Sequence, residues 1–262
     1  MTKAHIRSYK PHPGQLAFHF AVRDLYRFVA LISGIRGGKT VAGAREALRQ
    51  AWNAKGKGAF GIIAPTYSML DRTTWFEFRE AAREFILSEN QSNKIIILKN
   101  GKRVHGHSAD RPDRIRNETL TGFWVDEARE CKDFRRLWDV LMGRVLSTGG
   151  KGFITTSPNS FDDIHDLFVA NKRSNFGTVR FPTDINSYLD KNAIDELASN
   201  YDEKFMRQEL LGEFVIFEGN VYYTFRRDKN AGDYAFKVAK YDPDYPLSLC
   251  ADFNVDPMAW VI

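Results

Sequence analysis

The segment Ser33-Gly34-Ile35-Arg36-Gly37-Gly38-Lys39-Thr40 lies between an apolar run at 27–33 and a helical pattern at 41–52. An apolar strand that turns through glycines into a helix is the setting of a phosphate-binding loop. Glycines let the backbone curl so that successive amides point inward at a polyphosphate, and the helix N-terminus adds its positive end. Lys39 would reach the β- and γ-phosphates, and the Thr40 hydroxyl would ligate Mg²⁺. The spacing follows G-x-x-x-x-G-K-[ST], with Ser33 in place of the first glycine. A small residue still permits the turn. Gly56-Lys57-Gly58 and Gly150-Lys151-Gly152 lack both the hydroxyl and the following helix. The competing reading is a glycine-rich strand–helix turn that binds nothing.

Outward from this loop, apolar runs alternate with helical patterns. Strands are expected at 27–33, 59–64, 94–98, 103–107, 122–126, 152–156 and 178–182. Helices are expected at 41–52, 68–87, 134–146 and 193–211. In the first, Val41, Ala44, Ala47, Leu48, Ala51 and Trp52 share a face. In the second, Met69, Trp75, Phe76, Ala82, Phe85 and Ile86 form the buried stripe. Strands separated by helices imply βαβ units, hence an α/β fold with a mainly parallel sheet covered on both faces. The stretch 94–107, centred on Asn100-Gly101, reads instead as a local hairpin.

Gly122-Phe123-Trp124-Val125-Asp126-Glu127-Ala128 is an apolar strand ending in two carboxylates. At the sheet edge that also carries the phosphate loop, Asp126 would hold the Mg²⁺ hydration shell. Glu127 would orient and deprotonate an attacking water. The plainer alternative is an Asp-Glu pair capping the next helix. A third strand, Gly152-Phe153-Ile154-Thr155-Thr156-Ser157, ends in hydroxyl residues. Thr155, Thr156 and Ser157 would sense the γ-phosphate and pass its loss to a moving element; the plainer alternative is an ordinary strand end capped by Ser157 before Pro158.

Composition bounds the rest. The chain has 262 residues, 38 Lys and Arg against 33 Asp and Glu, and two cysteines. With 43% hydrophobic and 27% charged residues it can bury a sizeable core, which excludes a disordered chain. No run approaches the roughly 18 apolar residues of a membrane span, and MTKAHIRSYK lacks the apolar stretch of a signal peptide. Cys131 and Cys250 have no CxxC or Cys/His spacing, so a disulfide framework is not expected. The net charge of +5 permits a nucleic-acid partner without demanding one. After Phe217 the chain turns polar and aromatic through 218–246, and an apolar stretch at 247–262 runs to the last residue. That pattern suggests a second domain begun but not finished.

The three motifs, in this order, resemble the large terminase subunit of tailed double-stranded DNA phages. Around them, Lys10-Pro11-His12-Pro13-Gly14-Gln15 looks like the family's adenine-side glutamine motif, and Ile62-Ile63-Ala64-Pro65-Thr66-Tyr67 like the segment after its second strand. His107-Ser108-Ala109-Asp110-Arg111-Pro112-Asp113-Arg114-Ile115-Arg116 is similar to the loop before its acidic strand. Arg207-Gln208-Glu209-Leu210-Leu211-Gly212-Glu213-Phe214 resembles the end of its lid, and Ala251-Asp252-Phe253 the first strand of its RNase H-like nuclease domain.

The resemblance implies a P-loop NTPase of ASCE type at 1–217, with a small lid subdomain at about 178–217. A linker at 218–246 and the start of the nuclease domain at 247–262 would follow. It implies an ATPase, with ATP and Mg²⁺, that drives double-stranded DNA into a procapsid. Its partners would be the portal protein and the small terminase subunit. The chain would be a monomer in isolation, a pentameric ring on the capsid, in the host cytoplasm and off the membrane.

Nucleotide contacts would come from Gln15, Gly34, Ile35, Arg36, Gly37, Gly38, Lys39, Thr40 and Val41, and metal contacts from Thr40 and Asp126. Glu127, Lys39, Arg36 and Arg116 would be catalytic. Arg36 would couple hydrolysis to movement, and Arg116, with Arg111 next, would reach a neighbour's nucleotide as a finger. A solvated basic loop is the alternative for Arg111, Arg114 and Arg116.

Other readings compete. Nuclease activity from Asp252 is not expected, because only Asp256 follows it and two-metal hydrolysis needs several converging carboxylates. A small-molecule phosphotransferase would exclude water, which Glu127 argues against. A nucleotide-gated DNA-binding module without turnover is separable by assay. His105 and His107 share a strand face and could begin a zinc site, but no Cys or third His is suitably spaced, so a structural role is preferred. Tyr222-Tyr223-Thr224-Phe225 reads as packing, and Cys131 as a small buried residue.

Overall fold

The computed structural model describes residues 9–160, 162–171, 173–215, 250–252 and 259–261. The chain divides into two compact units, Met1–Phe217 and Glu218–Ile262. In the first, eight strands form one sheet among the described residues. They are β1 (Phe28–Ser33), β2 (Ala59–Ala64), β3 (Ile86–Asn90), β4 (Ile95–Leu98), β5 (Arg103–Ser108), β6 (Leu120–Asp126), β7 (Lys151–Thr156) and β8 (Phe176–Phe181). Their order is β3-β4-β5-β2-β6-β7-β1-β8. Every pair from β5 to β8 is parallel, and β3 and β4 add an antiparallel edge. In the second unit, β9 (Cys250–Asp252) pairs antiparallel with β10 (Ala259–Val261).

The helices are α1 (Pro13–Phe20), α2 (Lys39–Asn53), α3 (Tyr67–Met69), α4 (Trp75–Ala82), α5 (Phe134–Arg144), α6 (Lys191–Ser199) and α7 (Glu203–Glu209). Central strands are buried on both faces, so β1 and β2 read as unbroken apolar runs. Val29, Leu31, Trp124 and Phe153 join one core with the α2 alanines and with Phe78 of α4. Phe28, Ala30, Ile32, Phe123, Val125 and Ile154 join a second with Leu137, Trp138 and Leu141 of α5. Helix α2 approaches the sheet closely enough that a Cβ at Gly43 would stand 2.5 Å from the Trp124 ring. That approach brings the phosphate loop, at the N-terminus of α2, down onto the strand ends.

Two expected helices are broken. The pattern at 68–87 ends at Ala82, and Ile86 and Leu87 enter β3, paired with β4 from Ile86↔Leu98 to Asn90↔Ile95. The expected hairpin is therefore the inner part of a three-stranded meander, its β4–β5 half in register Ile95↔His105 and Ile97↔Arg103. Phe76, placed in the buried stripe, is 51% exposed; Phe78 and Ala81 take its place. Val41 is likewise at the surface rather than in the α2 seam. The pattern at 193–211 splits into α6 and α7, because Asp202 caps the second helix by accepting the Phe205 amide. Residues 178–181, inside the span expected for the lid, belong to β8 and hence to the sheet.

Candidate nucleotide site

Strand β7 lies between β1 and β6, so the phosphate loop and the acidic strand end flank it. Register places Thr155 beside Asp126 on one side and Leu31 on the other. The hydroxyl strand is thus the bridge between the two motifs.

Gly38 turns the loop into α2 at φ 84°, in the left-handed region that glycine enters without strain. Arg36, at φ 56°, adopts that conformation with a side chain and stays exposed. Lys39 folds back over the loop. Its Nζ donates to the Ser33 carbonyl at 3.2 Å, the Gly34 carbonyl at 2.9 Å and Ser157 Oγ at 2.9 Å. Burial lowers its pKa, against the opposing pull of Glu127 and Asp126.

Asp126 is fully buried. Three hydroxyls donate to its carboxylate: Thr155 at 2.6 Å, Thr74 at 2.8 Å and Thr40 at 3.3 Å. Burial and the neighbouring Glu127 charge still raise its pKa to about 6, more than the hydroxyls and Lys39 can offset. Glu127 follows at φ 46°, a non-glycine residue held in the left-handed region at the strand end, where its side chain faces the cleft.

These groups line a cleft of about 670 Å³ with Ile35, Val41, Arg129 and Asn186. Of the three hydroxyl residues in β7 and its end, only Ser157 lines the cleft, through Lys39. Thr155 is spent on Asp126. Thr156 Oγ1 accepts the Arg129 amide at 3.0 Å and donates to the Ser157 carbonyl at 2.9 Å.

Gln15 is buried beneath the loop. Its Nε2 donates to the Gly38 carbonyl at 2.9 Å and its Oε1 accepts the His12 amide at 3.2 Å, so both ends of the amide are engaged by backbone. His12 Nε2 meets the Gly37 carbonyl at 3.0 Å. Arg116 is exposed, ion-paired to Asp113 at 3.1 Å, and lines a separate groove with Arg135 and Arg136. The structure does not bring it to its own chain's cleft. Asp252 ends β9.

Several residues here escaped the sequence reading. The segment after β8 reaches back over the loop: the Ile35 amide donates to the Glu209 carbonyl at 2.7 Å, Thr183 Oγ1 to the Ile35 carbonyl at 2.7 Å, and Asn186 Nδ2 to the Arg36 carbonyl at 2.8 Å. Arg129 Nη1 donates to Glu209 Oε1 at 3.1 Å and to the Pro158 carbonyl at 3.3 Å. Nothing local marks Thr74 or Thr183. Arg129, two residues after Glu127, was within reach of a motif-based reading.

Among solved structures, the chain is similar to the large terminase of a thermophilic bacteriophage: TM-score 0.70 at 20% identity, over 84% of this chain and 57% of that one. The same phage protein in complex with ADP matches with TM-score 0.69 at 19% identity, over 93% of this chain and 62% of that one. The ATPase domain of the Thermus phage P74-26 large terminase matches with TM-score 0.63 at 22% identity, over 79% of this chain and 95% of that domain. These likenesses carry the P-loop ASCE fold, and the chain spans about three fifths of the full terminase chains. Comparison with curated protein sequences gives no match. The family model described as terminase large subunit, T4likevirus-type, N-terminal, matches residues 31–229. That match covers most of the chain, which therefore belongs to the terminase large-subunit family.

Proposed function

We propose that residues 1–217 are an ATPase that powers double-stranded DNA packaging into a procapsid. The observation that carries this reading is the convergence of Lys39, Thr40, Asp126 and Glu127 on one nucleotide-sized cleft at the glycine-rich loop. Lys39 would exchange its carbonyl partners for the β- and γ-phosphate oxygens. Glu127 would take the proton of the water that attacks the γ-phosphorus. Arg36, which lines the cleft, would follow the γ-phosphate, and Ser157 would register its loss through Lys39.

The donor set suits Mg²⁺. A buried carboxylate with a raised pKa, ringed by hydroxyl oxygens, is a hard-oxygen site whose charge a divalent cation would balance. Thr40 and Asp126 would hold it, and the ion would neutralise charge building on the phosphates. Residues 218–246 would link to a nuclease domain starting at 247–262. Portal protein, small terminase subunit and a pentameric ring are the partners this reading carries, in the host cytoplasm. Among the described residues no helix is long and apolar enough to cross a membrane.

The test is Mg²⁺-dependent ATP turnover by the chain and by Glu127→Gln. The variant should bind nucleotide and lose hydrolysis by at least about 100-fold, the scale of general-base catalysis. Equal loss of binding and turnover would make Glu127 structural.

A further inference from the structure

A second cluster stands apart from the nucleotide cleft. His105 and His107 lie two residues apart on β5, so their imidazoles emerge on one face of the sheet. The chain returns across that face through 109–119 and delivers Glu118. Glu118 Oε2 lies 2.8 Å from His105 Nδ1 and 3.4 Å from His107 Nε2. One nitrogen from each ring and one carboxylate oxygen fall within 4.8 Å of one another. Ligands at zinc–nitrogen and zinc–oxygen distances stand about 3.3 Å apart in a tetrahedral site, and the two measured separations bracket that value.

We propose that His105, His107 and Glu118 bind a divalent transition ion of the zinc class. Two borderline imidazole nitrogens with one carboxylate oxygen suit Zn²⁺ or Co²⁺ and not Mg²⁺ or Ca²⁺, which take all-oxygen sets. Strand geometry holds both rings before any ion arrives. His107 Nε2 is buried and faces Glu118 Oε2 at 3.4 Å without forming a well-aligned hydrogen bond, the condition that a ligand relieves. A pocket of about 270 Å³ adjoins all three residues and leaves room for a fourth ligand. Arg111 and Arg114 line the same pocket, so water or an anion suits that position better than a second cation. The ion would fasten the 109–119 connection to β5, and with it Arg111, Arg114 and Arg116. The carboxylate is what sequence spacing concealed: it comes from a different element, thirteen positions beyond His105.

The experiment is titration of the metal-free chain with Co²⁺ and Zn²⁺, read by Co²⁺ ligand-field absorption, calorimetry and melting temperature. One ion per chain, a tetrahedral Co²⁺ spectrum and a raised melting temperature are expected. Glu118→Gln and His107→Ala should each weaken binding by more than about tenfold. Asp126→Asn should bind as the parent does, which separates this site from the nucleotide cleft. Absence of saturable binding by the parent chain would overturn the proposal, leaving a His–Glu–His strut. Binding unaffected by Glu118→Gln, or lost with Asp126→Asn, would overturn it as well. If a variant fails to fold, the parent's titration and the Asp126→Asn chain still decide.

Discussion

Arg129 Nη1 sits 3.1 Å from Glu209 Oε1, joining the end of the acidic strand to the end of α7. Glu209 also receives the Ile35 amide on its carbonyl, so one residue touches both sides of the nucleotide cleft. Burial opposes the Arg129 charge, but Glu209, together with Glu130 and Glu127, outweighs it and raises the guanidinium pKa. The side chains are 22% and 8% exposed, which makes this pair more sheltered than the surface pairs.

Arg129→Ala leaves the sheltered Glu209 carboxylate unpaired. Full burial would cost about 3–5 kcal/mol, and the remaining exposure reduces that to about 2 kcal/mol. Glu209→Gln should cost less, because its amide oxygen still accepts from Arg129. Urea unfolding checks both. Unchanged stability in Arg129→Ala would reduce the pair to a surface contact.

Gly34→Ala meets an obstacle that no side chain can yield to. A Cβ there would stand 2.3 Å from Thr183 Oγ1, 2.4 Å from the Leu210 carbonyl and 2.7 Å from the Glu209 carbonyl. Two of the three are backbone atoms, so the loop must lift away from the segment that follows β8. A loss of about 1–3 kcal/mol is expected, with weaker nucleotide binding. Thermal melts with and without nucleotide measure it; a neutral substitution would mean that the loop and that segment are not rigidly joined.

Cys131 offers a pH-dependent readout. Burial, with the Glu130 and Asp126 charges, pushes its thiol up to about 12. The reactive form is the thiolate, which is then scarce at every pH from 7 to 9. In a Cys250→Ser background, alkylation of the native chain should be slow at pH 8 and fast in denaturant. Rapid native labelling with the pH profile of an ordinary thiol would show that the α5 core opens readily.

Strands β1, β2, β6 and β7 were legible because each is buried on both faces and therefore reads as an apolar run with no partner knowledge needed. The phosphate loop was legible because its chemistry is contiguous. Strand β3 was not: Ile86 continues the stripe of α4, and only pairing with β4 makes it a strand. The break before α7 carried a readable signal, the capping Asp202, that periodicity overrode. Thr74, Thr183 and Glu118 became visible only in three dimensions. Each acts on a residue more than ten positions away, where spacing says nothing.

Arg116 tests whether the site is complete in one chain. It is exposed, ion-paired with Asp113 at the surface, and lines a groove with Arg135 and Arg136. If it serves a neighbour's nucleotide, turnover per chain should rise with concentration or on ring assembly. Arg116→Ala should flatten that rise and leave nucleotide affinity nearly intact, since a finger stabilises charge that develops only in the transition state. Mixing Arg116→Ala chains with Glu127→Gln chains is decisive. At one type of interface in the mixture, an intact Arg116 faces an intact Glu127, although neither chain is active alone. Recovered turnover establishes action between chains. Turnover independent of concentration, with no recovery on mixing, would instead assign Arg116 to the basic surface that its groove already forms.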